Sequence, residues 1–221
     1  RQMCIRDRDN ILRMLRRQPL GSAGAVVIIL MAFAAVFAET IAPFDPELEN
    51  FEYMLSPPGT VHEDTGKVFY FGTDSFGRDQ LSRMIYGART ALLVGFTASF
   101  CGAFLGLILG VASAYFGGYI DLVLQRVCDV FMAFPLIIMA LAIVSIFGTG
   151  VEMVIIAITI PFIPNCARVV RSSALALKGL PYIDAARSVG YGHVRIIMRH
   201  MVPNVMAPFL IMLTAFVGQA I

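Results

Sequence analysis

The sequence predicts an all-α fold, a polytopic membrane helix bundle, and three observations carry that prediction. Hydrophobic residues make up 58% of the 221 residues and charged residues only 14%, with a mean hydropathy of +0.77. The apolar share is above, and the charged share below, those of an ordinary soluble domain. Four apolar stretches reach or approach the roughly 20 residues needed to cross a hydrocarbon core of about 30 Å, and a fifth begins near the end of the chain. The ionisable side chains beside these stretches, Glu39, Asp129, Glu152 and Arg168, fall near their ends.

Taken in order, residues 1–19 hold six arginines and form an N-terminal segment. The first span covers 20–42, a loop covers 43–89, and a core domain covers 90–221. Within the core the second span runs from about Thr90 to Phe116, the third from Val127 to Phe147, the fourth from Val151 to Ala167 and the fifth from Met201. Lys and Arg are enriched in cytoplasmic loops. The 1–19 and 165–200 segments each hold six Lys or Arg, so both are expected in the cytoplasm, with four spans between them. The 43–89 loop, with eight acidic residues against Lys67, Arg78, Arg83 and Arg89, then lies outside. The chain ends at Ile221 inside an apolar run, which reads as a fragment with four complete spans and part of a fifth. A cleaved signal peptide with Val36-Phe37-Ala38 at its cleavage site is the alternative for the first span; its length and the polytopic remainder favour a membrane span.

Ala98, Gly102, Gly106, Gly110 and Ala114 recur every four residues in the second span. That spacing lays all five on one helix face, where the missing side chains let another helix approach closely. Pro135 falls in the third span and Pro161 and Pro164 near the end of the fourth. Each removes a backbone donor and favours a kink, which either lines a cavity or is absorbed by neighbouring helices.

Several function classes are excluded. No ionisable side chain lies near the middle of a span, as ion-coupled transport commonly requires. Cys4, Cys101, Cys128 and Cys166 are far apart and read as structural thiols, with no metal-ligand spacing. Neither Lys67 nor Lys178 belongs to a phosphate-binding loop, and no nucleophile motif occurs. No catalytic residues, metal or cofactor are therefore assigned. A net charge of +2, with the aromatics inside apolar runs, gives no basis for nucleic acid as a partner; the partner that the composition points to first is the lipid bilayer.

The 165–200 segment is more structured than a topological anchor needs. Pro181 precedes a short helix over Tyr182–Val189, with Asp184 in its first turn where a carboxylate complements the helix dipole. Gly190 is suited to the left-handed residue that ends it. Ala185 and Ala186 leave room for a partner surface close to the backbone. A second helix is expected from His193, with Val194, Ile197, Met198 and Met201 on an apolar face, Arg195 and Arg199 as a basic pair, and Pro203 at a start or kink of the fifth span.

Asp184-Ala185-Ala186, three residues, Gly190, nine residues, His200, one residue, Val202-Pro203 resembles the EAA signature of binding-protein-dependent ABC importer permeases, with Asp in place of the usual Glu. The ending Arg199-His200-Met201-Val202-Pro203-Asn204 is similar to the peptide and nickel branch. So are Ala42-Pro43-Phe44-Asp45-Pro46, the run from Phe71 to Arg83, Tyr86-Gly87-Ala88-Arg89, and Asp129 with Pro135. Together they resemble the C-type permease of dipeptide, oligopeptide and nickel importers from about Arg13 onward.

The resemblance implies a type I ABC importer permease, multi-pass in a bacterial cytoplasmic (inner) membrane with its N-terminus in the cytoplasm. It implies six spans in the whole family member, a second permease subunit, two ATP-binding-cassette ATPase subunits and an extracytoplasmic solute-binding protein. It assigns ATPase coupling to Asp184, Ala185, Ala186, Arg187, Gly190, Arg199, His200 and Pro203. It makes the chain a permease subunit rather than an enzyme. A membrane scaffold or signalling protein that binds another cytoplasmic partner through the basic segment is the alternative from a different class.

Overall fold

A computed structural model of the chain describes residues 19–221. The arginine-rich N-terminal segment, apart from its last residue, and Cys4 lie outside these residues. The described residues form two compact units, 19–92 and 93–221, and the division falls inside one long helix.

In the first unit, α1 (Pro19–Val36) and α2 (Ala38–Ile41) occupy the first predicted span. The following loop is organised around an aromatic cluster. Strands β1 (Thr60–Val61) and β2 (Val68–Phe69) pair antiparallel, with Thr60 opposite Phe69 and Val61 opposite Val68. Phe69 is fully buried, stacked on Phe44 at 4.5 Å between ring centroids, and His62 stacks on Tyr53 at 4.9 Å. This small core lets the loop hold a fixed shape with almost no regular secondary structure.

The run from Gly72 to Arg83 is built to close that loop onto a helix start. Gly72 and Gly77 have φ of +74° and +73°. A Cβ on Gly72 would lie 2.4 Å from the Ser56 carbonyl oxygen, and one on Gly77 would lie 1.8 Å from that of Asn50. Only glycine meets both the backbone angle and the contact. Asp74 Oδ1 accepts the backbone N–H groups of Phe76 (2.9 Å) and Arg78 (3.0 Å), while Oδ2 receives the Arg78 guanidinium at 2.9 Å and pairs with Arg83. Asp79, 1% exposed, caps the next helix by accepting the Ser82 N–H at 2.8 Å and the Ser82 hydroxyl at 2.6 Å. That helix, α3 (Gln80–Phe116), starts ten residues before the expected second span. Leu81, Met84 and Ile85 therefore lie in its first turns.

In the second unit α3 ends at Gly117, whose φ of +66° turns the chain into α4 (Gly118–Met132). α5 (Leu136–Phe147) follows at 88° to α4. The sequence reading placed one kinked span over 127–147; the structure has two helices, the first starting earlier, at Gly118, and they meet at a sharp break just before Leu136. Pro135 accounts for the corner, because its ring disfavours helical backbone at Phe134 and its own ψ of 136° is extended. α6 (Val151–Lys178) runs unbroken through Pro161 and Pro164, with Asn165 Nδ2 donating to the Pro161 carbonyl at 2.9 Å. It also continues eleven residues past the predicted end at Ala167, drawing the first part of the 165–200 segment into helix.

α3 and α6 approach closely along the small-residue face. A Cβ placed on Gly102 would sit 2.7 Å from the Phe162 Cβ, on Gly106 2.5 Å from the Cys166 Cβ, and on Gly110 2.6 Å from the Ala167 carbonyl oxygen. Ala98 and Ala114, at the ends of the same face, are fully buried. Beside this seam Arg171 makes a two-pronged pair with Asp121, Nε to Oδ1 at 2.6 Å and Nη2 to Oδ2 at 2.5 Å, and Ser113 donates to Oδ1. Lys178 Nζ donates to the Ala114 carbonyl at 3.0 Å, and Arg168 pairs with Asp129 at 2.6 Å. The arginines read from sequence as topological charges are thus partly consumed in tying α6 to its neighbours.

Among the described residues, α3, α6 and the stretch His193–Ala220 are long and apolar enough to cross a membrane, and α4 with α5 would add a fourth crossing as one broken span.

Two measurements test these packing assignments. Gly106→Ala should lower the thermal stability of the detergent-solubilised protein by about 1–3 kcal/mol through overpacking. Gly24→Ala, with nothing within 4 Å of its added Cβ, should leave it within about 0.5 kcal/mol.

The second concerns pH. Burial raises the Asp74 pKa, but the Arg78 and Phe76 backbone donors and the Arg78 guanidinium outweigh it, holding the carboxyl at about 2 against an ordinary 3.8. A depressed folded pKa stabilises fully above the unfolded value, and that stability is lost as pH falls through the folded one. Resistance of the 43–79 loop to protease should therefore be constant above about pH 4 and decline toward pH 2, and Asp74→Asn should flatten that decline at the cost of lower resistance at neutral pH.

Candidate docking segment

After α6 the chain turns at Gly179, and Leu180 takes an extended conformation with ψ of 140°. Pro181 then opens α7 (Pro181–Ser188) at its first helical position, where its fixed φ suits a helix start and its missing N–H costs nothing. The helix begins one residue before the sequence reading placed it. Asp184 is in its first turn, its side chain 68% exposed and 3.5 Å from Arg187.

Two faces of α7 differ. Ile183 is fully buried and Ala186 is 7% exposed, both packed in the core cluster that also holds Val170 and Ala174 of α6. Ala185 and Asp184 lie on the exposed side, followed by Val189 at 74% exposure. The sequence reading gave Ala185 and Ala186 one joint role as an open surface; the structure separates them. Residues three apart share a helix face, so Ala186 follows Ile183 inward and Ala185 points away.

The helix ends in a Schellman arrangement. The Gly190 N–H donates to the Arg187 carbonyl at 2.9 Å and the Tyr191 N–H to the Ala186 carbonyl at 3.1 Å. Gly190 has φ of +84°, the left-handed residue such an ending needs, and nothing lies within 4 Å of where its Cβ would be. Its requirement for glycine is conformational and not steric. Gly192, with φ of −65°, has no such requirement.

Beyond the corner, α8 (His193–Ile196) passes into a π-helical turn over Ile197–Met201 and a 3₁₀ turn over Val202–Val205 before α9 (Met206–Ala220). The Val202 N–H donates to the Ile197 carbonyl five residues back, and Pro203 has no N–H to offer the Arg199 carbonyl. The extra residue in this turn shifts the helical phase. Ile196, Met201, Val205 and Phe209 are the buried positions, spaced five, four and four apart, while Val194 and Met198 are 74% and 62% exposed. Of the apolar face read at ordinary helical spacing, Met201 is in the core and Ile197 packs against it, while Val194 and Met198 fall outside it for that reason. Arg195 and Arg199 are both exposed, the Arg195 guanidinium lying 5.1 Å over the Tyr191 ring. His200 stacks on Tyr191 at 6.0 Å, and its carbonyl accepts from Asn204 Nδ2 at 2.6 Å.

One residue at this site escaped the sequence reading. Tyr115, in the last turn of α3 and 5% exposed, shares a hydrogen bond of 2.8 Å between its Oη and His193 Nδ1, and Arg187 lies 5.5 Å over its ring. The partners are 78 residues apart, and no short-range spacing announces them. Among the described residues no group of three or more His, Cys, Asp or Glu gathers as metal ligands.

Residues 102–221 match the family described as binding-protein-dependent transport system inner membrane component, and residues 9–58 match the N-terminal transmembrane domain of oligopeptide transport permease C. A putative peptide transport system permease protein of Brucella suis biovar 1 is 41% identical over 209 residues, covering 95% of this chain and 68% of the relative. The glutathione transport system permease protein GsiD of Escherichia coli O6:K15:H31 is 39% identical over 211 residues, covering 95% and 67% respectively.

Proposed function

Because this chain belongs to the binding-protein-dependent transport inner-membrane family, within its peptide, oligopeptide and nickel ABC importer permeases, we propose that it moves short peptides or glutathione-like solutes inward and that α7 couples it to separate ATPase subunits. The names of its relatives support the solute class. The two-faced geometry of α7 is the observation that supports the coupling role: Ile183 and Ala186 fix it to the permease core, leaving Ala185 and Asp184 open.

In this reading the 1–19 segment and α7 face the cytoplasm, the 43–79 loop faces the solute-binding protein side, and residues 90–221 form the transport core with a second permease subunit. Each ATPase receives one coupling helix in a surface cleft. Ala185 permits close backbone approach; Asp184 and Arg187 frame the contact, and Arg199 lies on the adjoining exposed turn. Gly190 and Pro203 set the angles at which the segment joins the fifth span, and His200 braces the corner through Tyr191. ATP-driven closure would move α7 as a rigid piece and shift the core between inward-open and outward-open states. Nucleotide shifts that equilibrium only through its differential interaction with the two.

Uptake of a labelled dipeptide by a reconstituted full-length complex tests this. Gly190→Val places a β-branched residue at a left-handed φ, which costs about 1–2 kcal/mol for an ordinary L-residue and more for a branched one. It should abolish uptake with membrane insertion intact, whereas Gly192→Ala should transport like the parent. Unchanged uptake in Gly190→Val would remove the coupling role.

A further inference from the structure

We propose that Tyr115 is a positioning residue for transport, clamping both sides of the Gly190 corner to the end of α3; the proposal rests on the coupling role given to α7. Three contacts meet at this one ring. Its hydroxyl bonds His193 Nδ1 at 2.8 Å, on the C-terminal side of the corner. Its face receives the Arg187 guanidinium at 5.5 Å, on the N-terminal side. The His193 ring meets it edge-on at 5.6 Å. The ring itself is buried in the same core cluster as Ile183, Ala186 and Ile196, which lie on both arms of the corner.

A hydroxyl inside an otherwise apolar cluster is unfavourable unless bonded, and here it is bonded to a residue that is itself exposed. Packing alone would be served by phenylalanine. The hydroxyl adds direction: it fixes where His193 begins the second arm relative to α3. Ala114, the neighbouring residue, is on the face that seats α3 against α6, so the clamp joins the corner to that glycine-lined seam.

Tyr115→Phe keeps the ring, the Arg187 contact and the buried volume and removes only the hydrogen bond. In the reconstituted full-length complex it should assemble with its ATPases and hydrolyse ATP at a rate within twofold of the parent, while solute moved per ATP falls about fivefold, the worth of one net hydrogen bond. His193→Leu should reproduce that loss, and His193→Asn, which places a polar atom near the Nδ1 position, should recover most of it. Because His193 is exposed, this pair decides the matter even if Tyr115→Phe assembles poorly. Parent-like solute per ATP in His193→Leu, or an equal fall of uptake and hydrolysis in both His193 variants, would overturn the clamp. Failure of the parent chain to retain any ATPase would overturn the coupling role and the clamp with it.

Discussion

The approach of α3 to α6 is set by three missing side chains, and the rest of the second unit is arranged around it. At Gly102, Gly106 and Gly110 the would-be Cβ positions lie 2.5–2.7 Å from atoms of α6, so no other residue permits this separation. In a membrane, where lipid is as apolar as leucine, helices gain little by burying apolar surface against one another; close van der Waals contact and polar links carry association. The α3–α6 seam uses both. Flanking the glycine face, Thr159 bonds the Ala98 carbonyl at one end and Lys178 the Ala114 carbonyl at the other. The Arg171–Asp121 pair then secures α4 to α6 beside the Lys178 end.

That seam determines where α7 can lie. The C-terminal end of α6 and the last turn of α3 present Val170, Ala174 and Tyr115 together, and Ile183 and Ala186 complete the cluster. The eight-residue helix is too short to be stable alone, so its order comes from this tertiary anchorage and from the glycine ending at Gly190. A one-sided helix of this kind suits a docking element: Ile183 and Ala186 are committed to the core, and Asp184 and Ala185 are exposed.

Legibility from sequence followed the range of the interactions. Local signals along one helix were readable: the small-residue face from Ala98 to Ala114 and Gly190 as a left-handed ending both depend on residues within a few positions of one another. Features that depend on a change of period were misread. The π turn at Ile197–Met201 sets the buried Ile196 and Met201 five residues apart, so a face drawn back from Met201 at constant spacing selected Val194 and Met198, which are exposed. The 88° break at Pro135 was foreseen only as a kink, because a proline marks a weak point without saying whether the two halves stay collinear. The division between Ala185 and Ala186 needed to be read from Ile183, the large apolar residue three positions before Ala186. Tyr115 and the contacts that bind the 43–79 loop join residues distant in sequence, where no local pattern exists to read.

The central claim is that α7 docks an ATPase with its Ala185 face and holds the permease core with its Ala186 face. Thiol labelling of single-cysteine variants, made with all native cysteines replaced, tests it most directly. In detergent-solubilised full-length permease lacking ATPase, Ala185→Cys should react rapidly with a membrane-impermeant maleimide and Ala186→Cys slowly. Adding the ATPase subunits should protect Ala185→Cys, with protection changing between nucleotide-free and ATP-bound states. Equal labelling of Ala185→Cys with and without bound ATPase would contradict the account.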